Sequence, residues 1–486
     1  MENYKNEKLE QYRAYLSGKT CAVLGVGVSN IPLIKFLLES GASVVARDKK
    51  SLDALSENPA LDIKGLIESG VRFVTGENYL SDITEKIVFK TPGLRSDVPE
   101  IAAIKDSAVI TSEMEAFLSI CPCRIIAVTG SDGKTTTTTL VAKILEKAGY
   151  TVHLGGNIGK PLLYETPKMR PSDFAVLELS SFQLHSLGFY NEKPLFVPLG
   201  QFPDVAIITN VSPNHLDWHT SYEEYADSKK AVFTNLRDGG KLVTNAANDI
   251  ACTFAKEARE NGKKVCVFSA KVKTEDYYAD DEAIYKNGKK LISRSEIKLP
   301  GVHNAENYMA AMAATEDFVT VEDVKAVACS FGGVEHRLEF VASIDGADYY
   351  NSSIDSSPTR TVAAVQSFPD TENKKLVLIM GGYDKNIPYA PVGEPVCRKA
   401  KAVFLCGATA DKIEAAIKEA KNFDETTKIF KFSDFRETVI AARNFAKSGD
   451  KVILTPASAS FDLFKNFDER GKFFKSIVHE LEENEK

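Results

Sequence analysis

The stretch CRIIAVTGSDGKTTTTTLVAKILEKAGY, beginning at Cys123, limits the possible folds of this chain more than any other. An apolar run enters a glycine-bearing loop, and an amphipathic helix leaves it. Such strand–loop–helix units pack as parallel strands covered by helices, because a parallel neighbour needs a long crossover. The loop approaches the phosphate-binding pattern G-x-x-x-x-G-K-[ST], except that Val128 stands where the first glycine belongs. Gly130 and Gly133 let the backbone N–H groups around Ser131 and Asp132 turn toward one ligand. The helix that starts with Lys134, Thr135 and Thr136 points its positive end there. Lys134 is expected to pair with terminal phosphates and Thr135 to offer a hydroxyl to Mg²⁺. The expected ligand is ATP.

Two further segments show the same alternation. TCAVLGVGVSN is a buried strand and a turn, followed by a helix from about Ile31 to Glu39 and by the strand ASVVARD, which ends at Asp48. Gly25 and Gly27 fit the first two glycines of a dinucleotide fingerprint, while Asn30 occupies the third. This favours a nucleotide diphosphate over the helix N-terminus rather than NAD, with Asp48 as an acceptor at the strand end. After GGVEHRLEFV come KKLVLIMGGYDK, KAVFLCG and DKVILTPASAS, each an apolar run followed by turn residues. No fixed-period repeat links the segments, so three α/β domains are expected rather than a solenoid.

At 486 residues, 44% hydrophobic and 26% charged, the chain can bury a large core. A formal charge of −7 argues against a broad nucleic-acid-binding face. No run approaches the roughly 18 apolar residues needed to span a bilayer, and the charged N-terminus lacks the apolar core of a signal peptide. The eight cysteines are scattered, and CPC at Cys121 to Cys123 is neither a CxxC pair nor half a zinc knuckle. Reduced, mostly buried thiols are expected.

Chemistry is expected at strand ends, where open α/β sheets hold their ligands. Glu178 closes the strand in DFAVLELSS and could hold the Mg²⁺ that bridges ATP phosphates. His215 follows the strand DVAIITNVS and could ligate a second metal. His219, four residues on, reads as a surface or packing histidine.

GSDGKTTTT, GGNIGKPL, ELSSFQL, NHLDWH…YADSKKAVF, GVHNAENYMAA, EHRLEFV, GGYDKNIPY and SASFDLFKNFDERG stand in the order in which Mur ligases carry them. The resemblance runs from about Gly25 to Gly471. It implies a Rossmann-like N-terminal domain over residues 1–114, which binds the UDP substrate. A central P-loop ATPase domain with a mainly parallel sheet would follow over 115–336, then a Rossmann-like amino-acid-binding domain over 337–486. It further implies a cytoplasmic step of peptidoglycan synthesis, performed by a monomer: ATP, UDP-N-acetylmuramoyl-L-alanine and D-glutamate give an amide, ADP and phosphate. A folylpolyglutamate-type or other Mur-type ligase, or a nucleotide-binding relative without ligation, are the alternatives.

By the same resemblance, Lys134 and Thr135 serve the ATP phosphates and Glu178 the first Mg²⁺. His215 and Lys229 stand at a second Mg²⁺, with Lys229 carbamylated. That modification requires a lysine of lowered pKa, although composition alone makes DSKKAVF a solvated helix face. Asn304, Asn307 and Arg337 correspond to residues around adenine, ribose and phosphate. Asn157 corresponds to a substrate contact, as do Asp48 and Lys49 at the base and Gly25, Val26, Gly27, Val28 and Ser29 at the diphosphate. Lys385, Ser460 and Phe467 correspond to D-glutamate contacts. Phe461, Phe464 and Phe467 also recur at helical spacing, the pattern of a core stripe. Where relatives carry an acid and a lysine, NSSIDSSPTRT has Ser352 and Ile354, with Asp355 nearby: either Ser356, Ser357 or Arg360 takes over part of that task, or the amino acid differs.

Overall fold

The computed structural model describes residues 4–27, 29–58, 61–189, 202–299, 301–368, 370–371, 373–385 and 387–483. It forms two compact units, Met1–Ser330 and Phe331–Lys486.

The first unit holds two sheets. β1 (Thr20–Leu24), β2 (Ser43–Asp48), β3 (Arg72–Thr75), β4 (Ile87–Lys90) and β5 (Val109–Thr111) form a parallel sheet in the order β3-β2-β1-β4-β5. The order reverses at β1, so the turn after β1 opens at a topological switch point. β6 (Arg124–Thr129), β7 (Val152–Gly156), β8 (Phe174–Glu178), β9 (Val205–Ile208), β10 (Lys241–Asn245) and β11 (Lys264–Ser269) form the parallel body of a nine-stranded sheet. Its order continues through β12 (Tyr277–Ala279), β13 (Ala283–Lys286) and β14 (Lys289–Ser293), of which the last two pair antiparallel. β8, β9 and β10 are buried at every position. Helices cover both their faces, which is why these strands read as continuous apolar runs rather than alternating ones. The helix Glu113–Ile120 is buried from Met114 to its end and joins the cores of the two sheets.

The second unit is one six-stranded sheet. Its strands are β15 (Glu339–Ile344), β16 (Ala347–Asn351), β17 (Leu376–Met380), β18 (Ala400–Cys406), β19 (Lys428–Phe432) and β20 (Lys451–Leu454), in the order β15-β16-β20-β17-β18-β19. Only the edge strand β15 runs antiparallel. β16, β20 and β17 are neighbours, so the loops that follow them leave from one edge of the sheet. Among the described residues, no helix is long and apolar enough to cross a membrane.

Candidate active site

The loop after β6 is shaped by its neighbours. Gly130 has φ +146°, and a methyl group there would lie 1.9 Å from Thr209 Oγ1. At Gly133 (φ +77°) a methyl group would lie 2.5 Å from Asn307 Oδ1. Both positions therefore need glycine, for backbone conformation and for space. Thr209 Oγ1 donates to the Asp132 carbonyl at 2.6 Å, and Asn210 Oδ1 accepts from Asp132 N–H at 3.0 Å. The Ser131 hydroxyl lies 2.7 Å from the Tyr225 hydroxyl. The helix Lys134–Lys147 starts from Gly133 without a side-chain cap, and its positive end faces the loop. Val128, in place of the usual glycine, belongs to β6 and is fully buried.

Two lysines meet at this loop. Lys134 Nζ donates to the carbonyls of Gly130 and Ser131 at 3.0 and 2.9 Å, and Lys229 Nζ donates to the same Gly130 carbonyl at 3.0 Å. Lys229 is only 1% exposed. Burial holds its ammonium well below the ordinary lysine range; Lys134 adds to this, and Asp132 opposes it. Its neighbour Lys230 faces outward, ion-paired to Glu257 at 3.1 Å and Asp227 at 3.4 Å. His215, in left-handed backbone (φ 53°), feels the same field. Desolvation and then Lys134 depress its imidazole, Asp217 opposes them, and Lys229 adds a smaller depression.

The register supplies the carboxylate. Val128 pairs with Glu178 across β6 and β8, and Glu178 pairs with Gly156 across β8 and β7. Glu178 is 1% exposed, and its Oε1 accepts from Asn157 Nδ2 at 2.8 Å. Its Oε2 is buried with no hydrogen-bond partner. A buried carboxylate oxygen without a donor is costly unless a cation satisfies it. This chemistry fits a hard divalent ion, with Thr135 at the head of the adjoining helix. Asn307 accepts from Thr137 Oγ1 at 3.2 Å and donates to Asn304 at 3.1 Å, so both asparagines flank the loop.

His219 is a buried packing residue, 3.0 Å from Ser181 Oγ and ringed by Phe182, His185, Trp218 and Tyr225. Burial lowers its imidazole to about 4. Next to it is a network that sequence reasoning missed. Glu224 receives Arg95 at 3.0 Å and His185 at 3.2 Å, while Arg95 also donates to the Trp218 carbonyl at 2.9 Å. Trp218 Nε1 returns a bond to the Gly93 carbonyl at 2.9 Å. The segment after β4 is thereby tied to the segment carrying His215. The residues are too far apart in sequence for any local pattern to reveal this.

At the switch point of the first sheet, Gly25 has φ +92° and Val26 N–H donates to Asp48 Oδ2 at 2.6 Å. Asp48 Oδ1 accepts from Lys50 N–H at 2.8 Å, so this carboxylate braces the turn. Asn30 Nδ2 donates to the Gly25 carbonyl at 2.7 Å, which a third glycine could not do. Gly27 and Ser29 are exposed, and Val28 lies outside the described residues. Lys49 is exposed, 3.5 Å from Glu77.

In the second unit, Gly381 and Gly382 follow β17 and pass the turn after β20. A methyl group at Gly382 would lie 2.1 Å from the Ala459 carbonyl oxygen. Lys385 is exposed, and Ser460 is buried with its hydroxyl unpartnered. Ser352 is fully buried and accepts from Leu338 N–H at 3.1 Å, so it serves the fold where an acid was expected. Asp355 is buried against Thr455 Oγ1 at 2.9 Å, and burial pushes its carboxyl up to about 6. Arg360 donates to the Ile354 carbonyl at 3.1 Å, as does Ser356 Oγ, while Ser357 Oγ lies 3.2 Å from Thr359 Oγ1. Arg337 lies in the turn that leads into β15, its N–H bonded to the Val334 carbonyl at 2.9 Å. The phenylalanine stripe is not a helical one. Residues 461–466 are turns and bends, and the helix begins at Phe467 (Phe467–Glu483). Phe464 packs against the core, whereas Phe461 and Phe467 are exposed. Arg470, in the quoted DERG run but given no role there, is buried and donates to the carbonyls of Ser353, Ser458 and Ala459 at 2.9, 3.1 and 3.0 Å. It fixes the turn that carries Ser460.

A parallel sheet whose glycine loop gathers two lysines, with a buried carboxylate at the neighbouring strand end, has the make-up of an α/β enzyme site. Residues 128–315 match the Mur ligase middle domain, and residues 336–458 match the Mur ligase, glutamate ligase domain. Three proteins named UDP-N-acetylmuramoylalanine–D-glutamate ligase are near relatives. That of Ruminiclostridium cellulolyticum is 44% identical over 98% of this chain and all of its own length, and that of Acetivibrio thermocellus 45% over the same shares. That of Clostridium perfringens is 44% identical over 97% of this chain and 99% of its own. The chain belongs to the Mur ligase family. The fold is shared with a UDP-N-acetylmuramoyl-L-alanyl-D-glutamate–2,6-diaminopimelate ligase (TM-score 0.56, 19% identity, 96% of this chain and 93% of that one). It is shared also with MurF from Acinetobacter baumannii (TM-score 0.53, 16% identity, 96% and 91%).

Proposed function

We infer that the protein joins D-glutamate to UDP-N-acetylmuramoyl-L-alanine at the expense of ATP, a step of peptidoglycan synthesis. The observation that carries this reading is the 44–45% identity, over 98% of the chain, to ligases of that name. The site supplies the means. A carboxylate resists amines because its charge repels the nucleophile and oxide is a poor leaving group. Transfer of the γ-phosphoryl group to a carboxylate oxygen releases ADP and makes an acyl phosphate. The D-glutamate amine then attacks the carbonyl carbon; the C–O bond to phosphate breaks, and the amine proton passes to solvent.

In this reading the N–H groups of residues 130–135 and the Lys134 ammonium hold the ATP phosphates as charge builds on the transferring group. Asn304, Asn307 and Arg337 bind the nucleoside and phosphate. Thr135 and Glu178 hold one Mg²⁺, and His215 with carbamylated Lys229 a second; these ions supply charge neutralisation of the phosphates and the substrate carboxylate. The unpartnered Glu178 Oε2 supports the first ion. The depressed Lys229 ammonium supports the modification: its neutral amine adds to CO₂, giving a carbamate and a proton. Gly25 to Ser29, Asp48, Lys49 and Asn157 bind the UDP substrate, and Lys385, Ser460 and Phe467 bind D-glutamate. The working state is a cytoplasmic monomer. The division at 114 and 336 separates UDP-substrate, ATP and amino-acid binding.

Phosphate release by purified protein with ATP, Mg²⁺ and UDP-N-acetylmuramoyl-L-alanine tests the reading. Release is expected with D-glutamate and not with L-glutamate, glycine or no amino acid. Release with another amino acid would move the protein to a different Mur-type ligase, and none at all would make it a nucleotide-binding relative. For the second metal, Lys229→Ala should lose turnover that high acetate partly restores.

A further inference from the structure

At the amino ends of β6, β8 and the edge strand β7, away from the phosphate loop, three side chains of metal-ligand chemistry converge. Cys123 immediately precedes β6, Asp173 immediately precedes β8, and His153 is the second residue of β7. Arg124 pairs with Phe174, and both Ile125 and His153 pair with Ala175. Side chains alternate along a strand, so this register puts Cys123, Asp173 and His153 on one face. A thiol sulfur, an imidazole nitrogen and a carboxylate oxygen all lie within 4.8 Å of one another. His153 Nε2 is 3.0 Å from Asp173 Oδ2. Cys123 is 0% and Asp173 7% exposed, which surface clusters of acids are not.

We propose that Cys123, His153 and Asp173 form a structural site for a divalent ion of the zinc class. Pro122 alone separates Cys123 from a second buried cysteine, Cys121. In a tetrahedral zinc site, bonds of about 2.0–2.3 Å put ligand atoms roughly 3.3–3.8 Å apart. The three ligand atoms, within 4.8 Å of one another, would need to close by roughly 1–1.5 Å at most to reach that spacing. Asp173 is already oriented from behind, accepting Arg170 N–H at 3.0 Å and the Ser172 hydroxyl at 3.2 Å. Binding converts thiol to metal-bound thiolate and releases the proton to solvent.

The group lies about 20 Å from the phosphate loop, the length of the six-residue β6 at roughly 3.3 Å per residue. The ion would fasten the amino ends of β6, β7 and β8, the strands whose other ends present Gly130, Asn157 and Glu178. This inference does not depend on the ligase reading, and its test reads metal rather than turnover.

The experiment uses full-length protein with the exposed Cys252 and Cys329 replaced by alanine, to remove rival thiolates, and titrates it with Co²⁺ and then Zn²⁺. One equivalent of Co²⁺ is expected to give a thiolate-to-cobalt charge-transfer band that Zn²⁺ abolishes, and Zn²⁺ should raise the melting temperature. His153→Gln and Cys123→Ala should lose the band and the thermal shift. Asp173→Asn, which still accepts from Arg170 N–H, should weaken Co²⁺ binding about tenfold or more. Absence of a charge-transfer band overturns the proposal, as does a band of unchanged intensity in His153→Gln, whose partly exposed position favours a folded variant.

Discussion

After β6 the backbone turns where a methyl group on Gly130 would strike Thr209 Oγ1 at 1.9 Å. After β1 a methyl group on Gly27 would meet nothing within 4 Å, and one on Gly25 would touch Thr91 only at an ordinary 3.4 Å. Both are glycine turns between a parallel strand and a helix, yet glycine is needed for different reasons. In the central loop the protein itself crowds in, gathering two lysine nitrogens on the Gly130 carbonyl. In the first turn a carboxylate, Asp48, braces one side and the outer side stays open. On the proposed function, the crowded loop would act on a phosphate chain and the open one would admit the UDP substrate. Spacing of glycines alone does not distinguish them.

The largest test of this contrast is Lys134→Ala. Turnover should fall about 10³-fold while the melting temperature moves little, measured by phosphate release and thermal unfolding. Retention of most turnover would remove the phosphate role from the crowded loop. Next, Gly130→Ala should cost about 3 kcal/mol from left-handed strain and overpacking. Adding Thr209→Ala should recover part of this, a coupling readable in urea melts. If the single variant is neutral, the crowding is not what fixes glycine there.

A smaller effect concerns the buried amine. The folded-state pKa of Lys229 lies below its unfolded value. The folded chain therefore loses stability as pH falls from the unfolded value through the folded one, by up to about 1.4 kcal/mol per pH unit. In bicarbonate-free buffer, Lys229→Met should gain stability over the natural protein at pH about 7 and lose that advantage near the unfolded lysine pKa of about 10.4. A constant difference across that range would show that the amine is not buried uncharged. Smallest of all, Gly27→Ala should change stability by under about 0.5 kcal/mol and raise KM for the UDP substrate several-fold. An unchanged KM would mean that the open side of the first turn is not where that substrate lies.

Much of this architecture could be read from the sequence, because apolar runs ending in glycine determine where parallel strands stop. The helix from about Ile31 to Glu39 and the strand ending at Asp48 lie where their patterns put them. Glu178 was legible as a strand end, but its neighbours Val128 and Asn157 emerge only from the register. The burial of Lys229 beside the exposed Lys230 depends on the rotation of one helix against the sheet, which DSKKAVF does not encode locally. The phenylalanine spacing misled for the converse reason: period alone cannot tell a helix from a turn that happens to repeat every third residue. Arg470 and the grouping of Cys123 with His153 and Asp173 draw on segments dozens of residues apart, and no local signal marks them.

Arg95 donates to the Trp218 carbonyl and Trp218 Nε1 to the Gly93 carbonyl, tying the strip after β4 to the strip carrying His215, with the guanidinium 4.8 Å from the indole centre. A chimera that imports a foreign first module would therefore leave Glu224 and His185 facing strangers, unless residues 215–224 were transplanted with it. Modules that look exchangeable in a linear map are here matched pieces, and they would be inherited together.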